Sequence, residues 1–258
     1  MVQLDKSCPA RMQVFVINLA SATDRLVHIS DQIGGAFVRI DAVRGDAVPE
    51  RMAMNFSGAI PLLPGEIGCY ASHLIAVETI LERGLPYAVV LEDDALLARD
   101  FHEVVEMCVT RLPAGWDIVA LSDVKCLPHC RVSQLSSERW LVRYAHFPKT
   151  TTAYLLSQSG CRKLLASRPR TRPVDVDIRY GWEMGLDGYG IVPPPAGPSE
   201  TFESSIPKSA RRRFYWRANP LGYLRGRING VCKLGLANAA RAYLGNSSSP
   251  ALARKRQI

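Results

Sequence analysis

Three adjacent carboxylates, Glu92, Asp93 and Asp94, close a short apolar run from Ala88 to Leu91. Like charges at one point raise one another's pKa unless a cation neutralises them. Hard divalent cations such as Mg²⁺ or Mn²⁺ take oxygen ligands and commonly carry a diphosphate with them. The plainer alternative is a solvated acidic turn. A second carboxylate group lies at 173–187. Read as an extended segment, it points Asp175 and Asp177 the same way and offers one of them as a general base. The alternative is a cap for the helix that follows.

These residues need elements to hold them. Val89–Leu91 reads as a buried strand, which delivers the triplet to the carboxyl edge of a sheet, where open α/β folds place ligands. The preceding segment, 66–83, reads as a helix closed by Gly84 and Pro86, with Ile67, Leu74 and Leu81 as an apolar stripe. On it, Glu66 and His73 are seven apart with Tyr70 between them, so the three could line a cleft or bind an acceptor. Val14–Asn18 reads as a first strand followed by a short helix through Ile33, and Phe37–Asp41 as a second strand. Asn18 and Arg25 could then reach a nucleotide at the sheet edge, the guanidinium pairing with phosphate. Asp41 could accept from a ribose or cap the next turn. A helix at 100–111, a strand at 117–121, an irregular stretch at 123–148, a strand at 151–156 and a helix at 160–167 complete the pattern. Strands alternating with helices imply an α/β fold around a largely parallel sheet.

The length of 258 residues and the 22% charged content suit a globular chain with a sizeable core. No apolar run approaches the roughly 20 residues that cross a bilayer. The start resembles a signal peptide but has too short an apolar core, so residues 1–11 read as an extension before the first strand. The seven cysteines are odd in number and lack a Cys-x-x-Cys pair, which favours free thiols in a reducing compartment. Cys126, His129 and Cys130 are close in sequence but have no second half-site for tetrahedral zinc. The net charge of +8 is unevenly spread. From Lys208 to Ile258 there are twelve Lys or Arg and no Asp or Glu, so residues 1–207 are net acidic. Residues 207–258 therefore read as a basic, aromatic-containing helical tail, disordered from Gly245 onward.

The ordered motifs Val14–Leu19 with Arg25, Leu63–His73 (Leu-Pro-Gly-Glu-Ile-Gly-Cys-Tyr-Ala-Ser-His), Val90–Asp94, Thr152–Tyr154 and Pro173–Asp175 resemble glycosyltransferase family 25. The resemblance spans about residues 12–206. It implies a GT-A-like, Rossmann-type fold, a nucleotide-sugar donor (usually UDP-galactose) and inversion at the anomeric carbon. It also implies that Glu92, Asp93 and Asp94 stand for the acidic metal motif, with Asp94 the first ligand for Mn²⁺ or Mg²⁺ and Glu92 near the ribose or a metal-bound water. Inversion needs one carboxylate to take the acceptor proton: Asp175 first, then Asp177 and Glu183.

The expected activity is transfer of galactose to a lipid-linked saccharide of lipopolysaccharide or lipooligosaccharide. Within enzymes, the alternative is a nucleotidyl- or phosphotransferase using the same acidic site. The basic tail suits an anionic membrane surface, so the expected location is cytoplasmic, peripheral at the inner face of the membrane. Nucleic-acid binding is disfavoured by the acidic main body. A non-catalytic membrane- or nucleic-acid-binding protein is the reading from a different class.

Overall fold

The computed structural model describes residues 12–56, 62–123, 127–202 and 220–245. The expected extension 1–11, Cys126, the arginine and aromatic run at 211–217 and the stretch after Gly245 lie outside the described residues.

The order of elements begins β1 (Val14–Asn18), α1 (Thr23–Ile33), β2 (Val38–Asp41), α2 (Glu50–Ala53), α3 (Pro64–Glu82) and β3 (Tyr87–Glu92). It continues with β4 (Ala95–Leu97), α4 (Phe101–Arg111), β5 (Ile118–Ala120), β6 (His129–Gln134), β7 (Trp140–Tyr144) and β8 (Ala153–Ser157). Then come α5 (Gln158–Leu165), α6 (Val174–Arg179), a 3₁₀ turn (Gly181–Met184), β9 (Gly188–Val192) and β10 (Ala196–Pro198). Two helices follow, α7 (Pro220–Leu234) and α8 (Leu236–Gly245).

Eight strands form one mixed sheet in the order β2-β1-β3-β8-β5-β9-β7-β6, while β10 and β4 pair separately. β8 and β7 run against the other six. The sheet is thus α/β and mostly parallel in direction, as its sequence pattern predicts. Alternate residues of the central strands feed two cores. Val14, Val16, Val89 and Leu91 pack on Ile29, Ile33 and the α4 side chains Phe101, Val104 and Val105. Phe15, Ile17, Ala88 and Val90 pack on α3 through Tyr70, Leu74, Val77 and Ile80, and on Leu164 and Ile178. Burial on both faces explains the continuous apolar runs of β1 and β3.

Three elements differ from the expectation. The irregular stretch at 123–148 contains β6, whose residues are largely polar and half-exposed, and β7, a short Trp-Leu-Val-Arg-Tyr run with buried Leu141 and Val142 that the sequence reading missed. Residues 174–179 are helical, not extended; the Val-Asp-Val-Asp alternation imitates a strand, but Pro173 starts a helix at its first turn. The tail is helical between residues 220 and 245, as expected, but it is packed on the body. α7 and α8 pack back on the body through Leu234, Ala239 and Ala242 around Ala145, and Lys233 Nζ donates to the Leu186 carbonyl at 2.9 Å.

Candidate active site

β1, β2 and β3 end side by side, so the loops after them converge at one carboxyl edge. Because β8 runs antiparallel to β3, its lead-in Thr150–Thr152 arrives at the same edge, with Glu92 N–H donating to the Thr152 carbonyl at 2.9 Å. Two cavities open there. The larger, about 560 Å³, is lined by the first residues of α3 (Pro64, Gly65), the turn before α1 (Ser21, Ala22), Arg25 and the loop Ala42–Asp46. Its size suits a nucleotide-scale ligand. Neither α1 nor α3 has a side chain capping its first N–H groups from its cap residue, and helix starts favour anions. The smaller cavity, about 190 Å³, holds Glu66, Lys149, Thr150–Thr152 and Asp175. Cys69 and Glu92 line both.

Close packing of backbone shapes the larger cavity. A Cβ on Gly68 would fall 2.4 Å from the Val43 carbonyl oxygen, and one on Gly45 would fall 1.8 Å from that of Pro64. Ser72 Oγ accepts from Val43 N–H at 2.8 Å and donates to the Gly68 carbonyl at 2.7 Å. The Gly-Cys-x-x-Ser-His run is thus a docking face for the 42–46 loop, a role the sequence reading missed.

The acidic triplet divides its work. Asp93 accepts from Asn18 Nδ2 at 2.8 Å and from Arg25 Nη1 at 2.9 Å. Asn18 is itself buried; it donates to the Ala22 carbonyl and accepts from Arg39, so it positions Asp93 and does not line the cavity. Glu92 Oε1 accepts from Thr151 Oγ1 at 2.5 Å and lies 3.3 Å from His73 Nε2. Burial pushes the Glu92 carboxyl up, but His73, Thr151 and Arg25 together hold it below the usual carboxylate range. Asp94 is different. Burial above all, then the Glu92 charge, raises its carboxyl to about 6, with Asp93 adding to this and Arg25 opposing it. Its Oδ1 is buried without a hydrogen-bond partner among the described residues.

His73 Nδ1 meets the Tyr154 hydroxyl at 2.9 Å, and burial holds that phenol well above its ordinary pKa. Cys69, His73 and Glu92 are the one group among the described residues whose His, Cys or carboxylate donor atoms lie within 4.8 Å of one another. Its sulfur and nitrogen suit softer ions than Mg²⁺, and its His73–Glu92 contact is already made without one. His129 and Cys130 turn to backbone carbonyls of Leu127 and Asn238 instead.

The remaining expected residues separate. Asp175 lines the smaller cavity near Lys149, whose Nζ is 3.9 Å away. The helical backbone turns Asp177 to the opposite side. There it is buried and bound by Arg168, Arg172 and the Tyr70 hydroxyl, each at 2.8 Å. Glu183 pairs with Arg172. Asp177 and Glu183 therefore lie outside both cavities. Tyr70 belongs to that ion cluster and to the core, not to the cleft face of α3, where Glu66, Cys69 and His73 stand. Burial first, then Asp177, pushes the Tyr70 phenol to about 12. Asp41 is exposed and paired with Arg39, and the loop just after it forms the cavity wall.

A mixed α/β sheet whose parallel strands bring Arg25, two helix starts, Glu92 and Asp93 to a cleft at their carboxyl edge has the layout of an α/β ligand-binding protein. The chain matches the description "Glycosyltransferase family 25 (LPS biosynthesis protein)" across residues 12–178, and it belongs to that family. It is 32% identical over 193 residues to a Bos taurus protein named probable inactive glycosyltransferase 25 family member 3, covering 66% of this chain and 31% of that one. It is 42% identical over 93 residues to the lacto-N-neotetraose biosynthesis glycosyltransferase LgtE of Neisseria gonorrhoeae, covering 33% of each. It is 28% identical over 196 residues to the procollagen galactosyltransferase 1-B of Xenopus laevis, covering 68% of this chain and 32% of that one. The chain spans about a third of the length of these relatives.

Proposed function

We propose that this chain is a metal-dependent, inverting glycosyltransferase that moves galactose from UDP-galactose to a lipid-linked saccharide of lipopolysaccharide or lipooligosaccharide. One observation carries the reading: a nucleotide-sized cavity and a smaller cavity holding Asp175 adjoin at Cys69 and Glu92. A donor in the first and an acceptor in the second would meet at that junction. The names of the Neisseria gonorrhoeae and Xenopus laevis relatives support glycosyl and galactosyl transfer.

The divalent cation, Mn²⁺ or Mg²⁺, would be held first by Asp94, whose Oδ1 has no hydrogen-bond partner among the described residues, with Glu92, bound only through Oε1, as the further carboxylate at the cavity wall. When bound, such an ion offsets the charge of a departing diphosphate. Arg25, held by Asp93, presents a fixed positive charge on the cavity wall. Asp175 takes the acceptor hydroxyl proton as that oxygen bonds to the anomeric carbon and the bond to the diphosphate breaks on the opposite face. Asp177 holds the helix that carries Asp175 through its arginine cluster.

The test is UDP release from a panel of UDP-sugars with Mn²⁺ and a saccharide acceptor. Turnover of UDP-galactose that Asp94→Ala abolishes is the expected result; no turnover of any nucleotide sugar would overturn the reading. Donor binding without transfer is the second reading, favoured by the word "inactive" in the Bos taurus relative's name. Retained donor with no UDP release would establish it.

A further inference from the structure

α7 is built inside out. Its inward face carries Gly222, Gly226 and Gly230, spaced four residues apart. A Cβ on Gly230 would fall 2.0 Å from the Ala145 carbonyl oxygen, and one on Gly226 would fall 3.3 Å from Trp182 Nε1. The helix backbone therefore lies directly against the body. Its outward face carries Leu221, Leu224 and Ile228, which are 69%, 54% and 56% exposed. Their i, i+3, i+7 spacing makes one continuous stripe. A surface helix ordinarily turns such side chains inward. Up to Gly230 the large aliphatic groups face out and the glycines face in, while Val231 and Leu234 in the last turn pack inward, so the packing on the body does not account for Leu221, Leu224 and Ile228. Leu236, at the start of α8, is 82% exposed as well.

The charge around the stripe selects an occupant. Arg225 is exposed and falls on the same helical face. Residues 208–258 contain twelve Lys or Arg and no acidic side chain. A second copy of the chain would set this positive segment against itself. A nucleic acid would satisfy the charge but offers no apolar phase for three aliphatic side chains. No helix among the described residues is long and apolar enough to cross a membrane, which excludes α7 as a span. An anionic bilayer meets both needs, acyl chains for the stripe and headgroups for the cations.

We propose that the outer face of α7, formed by Leu221, Leu224, Ile228 and Arg225, docks on an anionic phospholipid surface, with the helix lying in the plane of the interface. The docking face is tied to the segment after the helix bearing Asp175, because Gly226 abuts Trp182 and Lys233 grips the Leu186 carbonyl.

The experiment is flotation of the full chain with phosphatidylcholine vesicles and with phosphatidylcholine–phosphatidylglycerol vesicles. The wild type is expected to float with the anionic vesicles only. Combining Leu221→Ser, Leu224→Ser and Ile228→Ser should weaken that partitioning roughly tenfold per side chain, with an unchanged melting temperature because all three are exposed. Arg225→Glu, which leaves the apolar stripe intact, should also weaken it and flatten its salt dependence. A triple variant that floats like wild type would overturn the proposal, since the basic residues alone would then suffice. So would a wild type that does not float, or a wild-type dimer that the triple variant dissolves.

Discussion

Replacing Asp94 with Asn should stabilise the protein in the absence of divalent metal, by an amount that grows from about pH 4 and is complete above about pH 6–7. The Asp94 carboxyl rises from 3.8 to about 6 in the fold, chiefly through burial and then through Glu92. Between those values the folded state holds a proton that the unfolded state has released, so stability from this group falls as pH rises and the loss is complete above pH 7. Two pKa units correspond to roughly 3 kcal/mol. The side chain is 21% exposed, so solvent and salt reduce the penalty to about 1–2 kcal/mol. Asp94→Asn removes the charge while keeping the shape. For a chain of this size the melting temperature should rise by about 3–6 °C at pH 8 in chelator. At pH 4 the difference between variant and wild type should vanish. Adding Mn²⁺ should raise the wild type toward the variant and leave the variant unmoved. Equal or lower melting of the variant at pH 8 in chelator would refute the argument that Asp94 carries an uncompensated charge.

Asp175→Asn should lower kcat by roughly 10²–10⁴ with little change in donor affinity, measured as UDP release against donor titration. Asp177→Ala should leave Arg168 without its carboxylate and Arg172 with Glu183 alone, and cost about 3–5 kcal/mol in denaturant unfolding; an effect below about 1 kcal/mol would contradict the cluster's role. Gly68→Ala should force the 42–46 loop away from α3, costing about 1–3 kcal/mol and weakening nucleotide binding together, since both depend on the same contact. Truncation before residue 220 should destabilise the body by roughly 2–3 kcal/mol by uncovering the surface under Leu234, Ala239 and Ala242, which a separable tail would not do.

The parts of the fold legible in the sequence were those with local signals. β1 and β3 are buried on both faces and read as continuous apolar runs, and the glycine and proline after α3 marked its end. Ser157 accepts from Gly160 N–H as the cap of α5. What the sequence hid was non-local. Asp175 and Asp177 look equivalent on a line, but one helical turn sends them to different environments. Arg168, which binds Asp177, also donates to the Tyr70 hydroxyl, and Arg170 joins it there, each about a hundred residues from Tyr70 in sequence. The triplet likewise looked like three similar ligands. Asn18, Arg25, His73 and Thr151 bind two of its members from distant elements, while Asp94 Oδ1 is buried with no hydrogen-bond partner among the described residues. The 42–46 loop had no apolar or acidic signature; Gly45 and Gly68 were the available clue, because each stands where a Cβ would strike backbone.

The central claim is that the larger cavity holds a nucleotide-sugar diphosphate, helped by a cation held at Asp94 beside its Glu92–Asp93 wall. Titration calorimetry of UDP-galactose into the wild type and Asp94→Asn, each with Mn²⁺ and with chelator, tests it most directly. The account predicts that chelation weakens wild-type binding by roughly 10- to 100-fold, about 1.4–2.7 kcal/mol, and leaves the already weak binding of the variant unchanged. Wild-type affinity that is indifferent to metal, or a variant that keeps the full metal dependence, would contradict it.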